Sequence, residues 1–248
     1  MNPKSEIELI DLRHVRDEGL LNLVYYDLYL PNFPILEEQE DPSEWRSLLW
    51  EPLRNQVNPI LHILVVGHFL RNKELKTVVG VLFVEFYKES KCGLLTYLVV
   101  HPNHRHQGVG RYLLKEGIQR LKADAQENRI KLQAVFGEVN NPAKISTVQD
   151  SMNPQERLKI ISKLGARLIS IRYVQPELRP GRGRSSCMFL VVFPLNKKQE
   201  EHVSGSTVIT FLREFYRAQG VADLDHDKDL VNVIADIKSK HIKLKELK

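Results

Sequence analysis

The sequence predicts a mixed α/β domain, a twisted sheet of about seven strands flanked by helices, followed by a C-terminal helical extension. Three observations carry that expectation. Runs rich in Val, Ile, Leu and aromatics, most bounded by polar or Gly/Pro turns, read as strands near 7–12, 61–69, 77–87, 93–100, 131–139, 167–174 and 187–194. Strands follow one another directly over 61–100, which suggests an antiparallel meander. A helical pattern at 108–127 lies between two strands, which suggests a parallel crossover.

The helices have their own signals. One covers about 17–30, and a second about 43–54, with Asp41 or Ser43 available as its cap. At 108–127, Val109, Leu113, Ile118 and Leu121 fall on one face. A shorter helix begins around Pro154, a position proline favours, and ends at Gly165. The order β-α-α-β-β-β-α-β-α-β-β makes one domain of residues 1–195. Residues 196–248 read as two amphipathic helices, the second running through Leu230, Val233, Ile234, Ile237, His241 and Leu244. With no strands of their own, they are expected to dock on the main domain or to form a homodimer contact.

Composition narrows the class. At 248 residues, 42% hydrophobic and 27% charged, the chain can bury a real core. Two Cys, at 92 and 187, cannot form a disulfide framework, which points to a reducing compartment. No apolar run approaches the roughly 18 residues of a membrane span, and the start lacks a signal peptide's apolar centre. The expected location is the cytoplasm, with no membrane partner. The formal charge of +5 is mild, but it is unevenly spread. Residues 37–44 hold five acids and no base, and 157–184 holds eight bases and one Glu. Both can be solvated surface, or an acidic lip for cations and a basic lip for anions. No basic stripe interleaves with aromatics, so nucleic acid is not an expected partner.

The chemistry concentrates between Leu94 and Leu121. An apolar strand ends at Val100, His101-Pro102 breaks it, and Arg105-His106-Gln107-Gly108-Val109-Gly110 leads into a helix. Free N–H groups of a first helical turn, with the positive end of the helix dipole, form an anion site, and Arg105 and Arg111 add charge. Two other phosphate motifs fail. The dinucleotide fingerprint needs a small residue where Leu113 stands. The Walker pattern needs Lys-Ser/Thr after Gly110, and Arg111-Tyr112 follow instead. The histidines at 101, 104 and 106 have no carboxylate or Cys nearby to complete a recognised metal site, so none is expected.

What fits is R-x-x-G-x-G after a strand ending in L-x-V-x-P. Leu98-Val99-Val100-His101-Pro102 followed by Arg105 to Gly110 resembles the GNAT superfamily of acyl-CoA-dependent N-acyltransferases, and the element order over about 5–195 agrees with that fold. The resemblance implies acetyl-CoA as co-substrate. It implies that backbone amides of Arg105, His106, Gln107, Gly108, Val109, Gly110 and Arg111 hold the pyrophosphate. It further implies that Leu98, Val99 and Val100 pair with the pantetheine arm, that an amide at or near Val100 stabilises the oxyanion, and that Asn140 contacts the arm. Many members supply a general acid from a Tyr four residues before a helix-ending Gly. Here Ile161 precedes Gly165, and the usual acid is absent.

Tyr173 and Tyr97 are the candidate replacements, unless each is a core tyrosine and water protonates the thiolate. Transfer also needs a base, because an ammonium with a pKa near 10.4 is no nucleophile. Glu138, a carboxylate in an apolar strand, is the candidate, against a structural hydrogen bond. Glu85 receives the same reading more weakly, since alternation can point it outward. The expected acceptor is a small-molecule amine. A peptide or protein amine, or a non-catalytic acyl-CoA-binding module, are the alternatives.

Overall fold

A computed structural model describes residues 7–51, 58–146, 150–237 and 240–247. Its scaffold is one nine-stranded sheet in the order β1-β2-β3-β4-β5-β7-β6-β9-β8. The strands are β1 (Glu8–Asp11), β2 (Ile60–His68), β3 (Thr77–Tyr87), β4 (Cys92–Val100), β5 (Ala134–Asn140), β6 (Arg167–Ile169), β7 (Met188–Phe193), β8 (His202–Ser204) and β9 (His241–Lys245). All neighbours run antiparallel except β4 and β5, which the crossover helix α4 (Val109–Glu127) joins in parallel. The meander and the crossover thus follow the sequence reading.

The central strands β2 to β5 and most of β7 are buried on both sides, because helices cover both faces there, whereas β1, β6, β8 and β9 are partly open. The rear carries α4 and α5 (Pro154–Lys163). There Leu113, Leu121 and Leu158 pack on Leu82, Val84, Leu95 and Val135. Gly117 lets α4 lie close, since a Cβ there would meet Leu82 Cδ2 at 2.5 Å. The front is covered in two halves. Over β1–β4 lie α1 (Glu18–Leu23), a π-helical stretch Val24–Tyr29, α2 (Leu30–Asn32) and α3 (Pro42–Trp50). Their Leu20, Leu28 and Trp45 meet Ile63, Val81 and Phe83. Over the other half lie α6 (Gly205–Ala218) and α7 (Lys228–Ala235), whose Phe211, Phe215 and Leu230 meet Leu94, Phe136 and Leu190. The gap between these two covers holds the site. No helix among the described residues is long and apolar enough to cross a membrane.

Three expectations change. The sheet has nine strands, and the two additional ones, β8 and β9, come from the segment expected to be helical. The second C-terminal helix stops at Ala235, and His241–Lys245 pairs with β6 and β8 instead. HIKLK alternates apolar and basic residues, and that period of two was hidden because Ile237, His241 and Leu244 also fit helical spacing. The strand expected over 167–174 ends at Ile169. Beyond it the Arg172 N–H bonds to the Asp236 carboxylate, so Tyr173 stands in an extended loop. The helix expected over 43–54 is Pro42–Trp50, capped by Asp41 through the Ser43 N–H; residues 52–54 lie outside the described residues.

Candidate active site

The site begins where β4 and β5 part. They pair from Cys92–Ala134 to Leu95–Gly137 and no further. At that point β4 contains a bulge: Thr96 and Tyr97 together stand opposite Phe83 of β3, between the pairs Leu95–Val84 and Leu98–Leu82. A bulge bends and twists its strand, and here it coincides with the fork. The His101 N–H bonds to the Val79 carbonyl, which makes Val100–Gly80 and Leu98–Leu82 non-hydrogen-bonded pairs. The backbone N–H and C=O groups of Leu98 and Val100 therefore point into the fork. Arg105 Nε takes the Val100 carbonyl at 3.2 Å.

At the fork's mouth the chain enters α4 through Gly108, whose φ of 83° is left-handed and strained for any other residue. Gly108 offers no side-chain cap, so the N–H groups of the first turn are left for another acceptor. A Cβ on Gly110 would meet only Val100 Cγ2, at an ordinary 3.7 Å. The fold does not demand glycine there, whereas a ligand lying against the backbone would. Arg111 ties α4 to the end of α5 through the Lys163 carbonyl. Ile161 of α5 faces the same space, where the resembling family often has its Tyr.

From this mouth a cavity of about 570 Å³ runs inward to a cluster of carboxyl groups. Glu138 is half-buried; Tyr173 donates its hydroxyl proton to Oε1, and Gln175 Nε2 donates to Oε2 at 3.0 Å. Burial pushes the Glu138 carboxyl up to about 7, while the two donors hold it down. Glu38 is also driven to about 7 by burial, against the pull of Arg157. Burial and the nearby Glu85 charge take Glu40 to about 8; its Oε2 accepts from Trp45 Nε1. Burial also raises Glu85 to about 7, with Tyr87 donating to it. Tyr97 donates to the Glu38 carbonyl at 2.9 Å, and burial holds both Tyr97 and Tyr173 well above the ordinary phenol value.

Among the described residues, three buried polar atoms around the cavity lack a partner: Glu38 Oε1, Asn140 Oδ1 and Gln175 Oε1. Asn140 spends its amide N–H on Asp150, which in turn holds Arg157.

The structure thus brings together Glu138, Tyr173, Tyr97, Asn140 and the segment from Leu98 to Arg111 on one cavity or directly beside it. Within that segment Gln107 faces solvent, its side chain bonded to the Asn103 carbonyl. Sequence reasoning missed Glu38 and Glu40, which read as part of an exposed acidic lip yet are 3% and 9% exposed. Gln175, two residues after Tyr173, lines the same cavity. The two charged lips meet each other: Arg179 pairs with Asp41 at 3.0 Å. Arg172 and Arg184 pair with Asp236 and with Asp227 and Asp229. Much of the basic run is therefore spent inside the protein. His101, His104 and His106 form no cluster of metal-ligand spacing among the described residues; Asp11, His14 and His62 do. His62 there donates to Asp11 at 2.8 Å and to Asp124 at 3.1 Å, and these hydrogen bonds outweigh burial and lift it to about 9.

A strand fork, a glycine-started helix and a carboxyl-lined cavity thus lie together at one place in the fold. The acetyltransferase (GNAT) family model matches residues 23–145, and the chain belongs to the GNAT superfamily. Among solved structures, it is similar to a GNAT-family protein of Bacteroides thetaiotaomicron at 14% identity, covering 79% of this chain and 90% of that one, with a TM-score of 0.47. It is similar to an IAA acetyltransferase from Bacillus cereus at 13% identity, covering 77% and 100%, with a TM-score of 0.42. An acetyltransferase of Bacillus subtilis in complex with CoA matches at 14% identity, covering 78% and 100%, with a TM-score of 0.43. No curated protein matches the sequence.

Proposed function

We propose that the protein is an N-acetyltransferase that moves an acetyl group from acetyl-CoA to a small-molecule primary amine by direct attack in a ternary complex. The observation that carries this reading is the fork. Its backbone groups at Leu98 and Val100, turned away from β3, lead from an uncapped helix start to a carboxyl group held near neutrality. The amides of the Arg105–Arg111 loop, with the Arg105 and Arg111 side chains, would bind the pyrophosphate. Leu98, Val99 and Val100 would align the arm, with Asn140 beside it. The Val100 N–H, free of β3, is the donor for the thioester oxygen.

Glu138 takes the proton that the ammonium must lose, and a carboxyl poised near 7 suits that task at neutral pH. The amine nitrogen then attacks the thioester carbon, the C–S bond breaks, and the second amine proton passes to the CoA thiolate. Tyr173 holds Glu138 and can relay that proton. The proton of Tyr97 is committed to the Glu38 carbonyl, which suits a positioning role. A small acceptor suits a cavity walled by Phe33 from one cover, Phe215 from the other and Leu178 from the segment between β6 and β7, which the Arg179–Asp41 pair ties to the first cover. On this reading a domain of residues 1–195 supplies most of the site, and residues 196–248 dock on it and add Phe215 to its wall.

The test is thiol release from acetyl-CoA across pools of amines, amino acids and lysine peptides, with calorimetry for acetyl-CoA alone. Saturable release with an amine pool is the expected result. Release with peptides only would move the acceptor to proteins, and tight binding without release from any pool would leave a CoA-binding module.

A further inference from the structure

The three unpartnered atoms at the cavity have one property in common. With Glu38 ionised, Glu38 Oε1, Asn140 Oδ1 and Gln175 Oε1 are all acceptors, and all belong to residues at most 3% exposed. The orientation of the two amides is dictated by their neighbours. Asn140 must present its N–H to the Asp150 carboxylate, and Gln175 must present its N–H to Glu138. Each oxygen is thereby left facing a need for a donor, at a cost of about 1–3 kcal/mol per group. A ligand that relieves all three brings N–H groups and no carboxylate.

The acceptors fall into two pairs. Gln175 stands with Glu138, and Glu38 lies within hydrogen-bonding reach of Asn140. Glu138 and Asn140 are two residues apart on β5, so they share a face and sit about 7 Å from each other. Arg157, the nearest base, is tied to Asp150 and does not satisfy Glu38 Oε1. Phe33 and Leu178 supply apolar wall nearby.

We propose that the acceptor is a dication, a diamine or polyamine, with its reacting nitrogen at Glu138–Gln175 and a second ammonium at Glu38–Asn140. The proposal rests on the acetyl-transfer reading of the fork and names the substrate class for it. An ammonium offers three donors, enough for the two acceptors that the second pair leaves unpartnered. Glu40 and Glu85 belong to the same carboxyl cluster, and a dication that favours their ionised forms is matched by charge they can still acquire, whereas an amino acid's carboxylate is not. Binding of the second ammonium favours the ionised form of Glu38, so protons are released on binding.

The experiment compares putrescine, cadaverine and spermidine with butylamine and with free lysine, in thiol release from acetyl-CoA. The expected result is a kcat/KM for a diamine at least about tenfold above butylamine, with lysine poorer than cadaverine. Calorimetry of putrescine in buffers of different ionisation enthalpy should show proton release near pH 7. Glu38→Gln should bring the diamine-to-butylamine ratio down toward one. Butylamine equal to putrescine, or lysine better than cadaverine, with robust thiol release, would overturn the dication assignment and leave acetyl transfer standing. Absence of acetyl-CoA binding in the same calorimeter would overturn both.

Discussion

The pairing of Tyr173 with Glu138 makes a prediction that separates catalysis from packing. Tyr173→Phe removes one donor from the carboxyl and leaves its burial in place. The hydrogen bond favours the ionised form, so without it the Glu138 carboxyl rises above about 7. A hydrogen bond to a charged group contributes about 1.5–3 kcal/mol, and one pKa unit is about 1.36 kcal/mol. The shift is therefore about one to two units upward. The base must be ionised to act, so kcat/KM falls on the acid side and recovers on the alkaline side. Other carboxyls in the cluster titrate in the same range, and so does the free fraction of the amine. Both largely cancel in the ratio of variant to wild type, measured by thiol release with one acceptor from about pH 5 to pH 10. That ratio should be about 10- to 100-fold lower at low pH than at its plateau above about pH 9, a plateau at one if the hydroxyl only tunes Glu138 and below one if it also relays the proton. A ratio that stays flat across the range would show that the hydroxyl does not act through Glu138. A Glu138→Gln variant that keeps full activity would refute the base itself.

Gly110→Ala should leave the melting temperature unchanged or slightly higher, since its Cβ meets only Val100, yet weaken acetyl-CoA binding by about tenfold or more in calorimetry. His62 is raised from 6.5 to about 9, so its contribution is fully present below about pH 6.5 and is lost as pH rises through about 9. Urea titrations should show about 3 kcal/mol less stability at the alkaline end from this group. His62→Phe, which leaves Asp11 and Asp124 buried without their cation, should cost about 3–5 kcal/mol at pH 7. Leu244→Ala in β9 should cost about 2–4 kcal/mol. Because Leu244 shares an apolar cluster with Phe136 and Leu190, unfolding should remain a single transition rather than split.

Much of the scaffold was legible because apolar periodicity is a local signal. The strand over 77–87 and the helix starting after Gly108 lie where the pattern puts them. The mouth of the site was legible too, since Gly108 and Gly110 mark backbone requirements that a sequence displays directly. The inner site was not. Glu38 and Glu40 belong to an acidic stretch, and nothing local separates a carboxylate facing water from one folded under Trp45 and Tyr97. Glu85 alternates with Leu82, Val84 and Phe86 as a solvent-facing residue would, but α-helices cover that face as well. His62 needed Asp11 and Asp124, 51 and 62 residues away, to become a buried ion pair. In β9 the failure was of another kind, two periods sharing the same residues.

The bulge at Thr96 and Tyr97 has an evolutionary consequence. On β4, Cys92 and Leu94 face the front and Gly93 and Leu95 the rear; past the bulge, Tyr97 and Val99 face the front and Leu98 and Val100 the rear. Removing Thr96 would leave every one of these residues on its present side and would let Tyr97 stand opposite Phe83 in an ordinary ladder. The scaffold is therefore complete with one residue fewer, and that surplus residue coincides with the opening beside β5. Point substitutions along β4 can retune what the opening holds. A single codon lost at Thr96 would keep the core's pattern intact while erasing the bend, so the opening can be lost in one step without losing the fold.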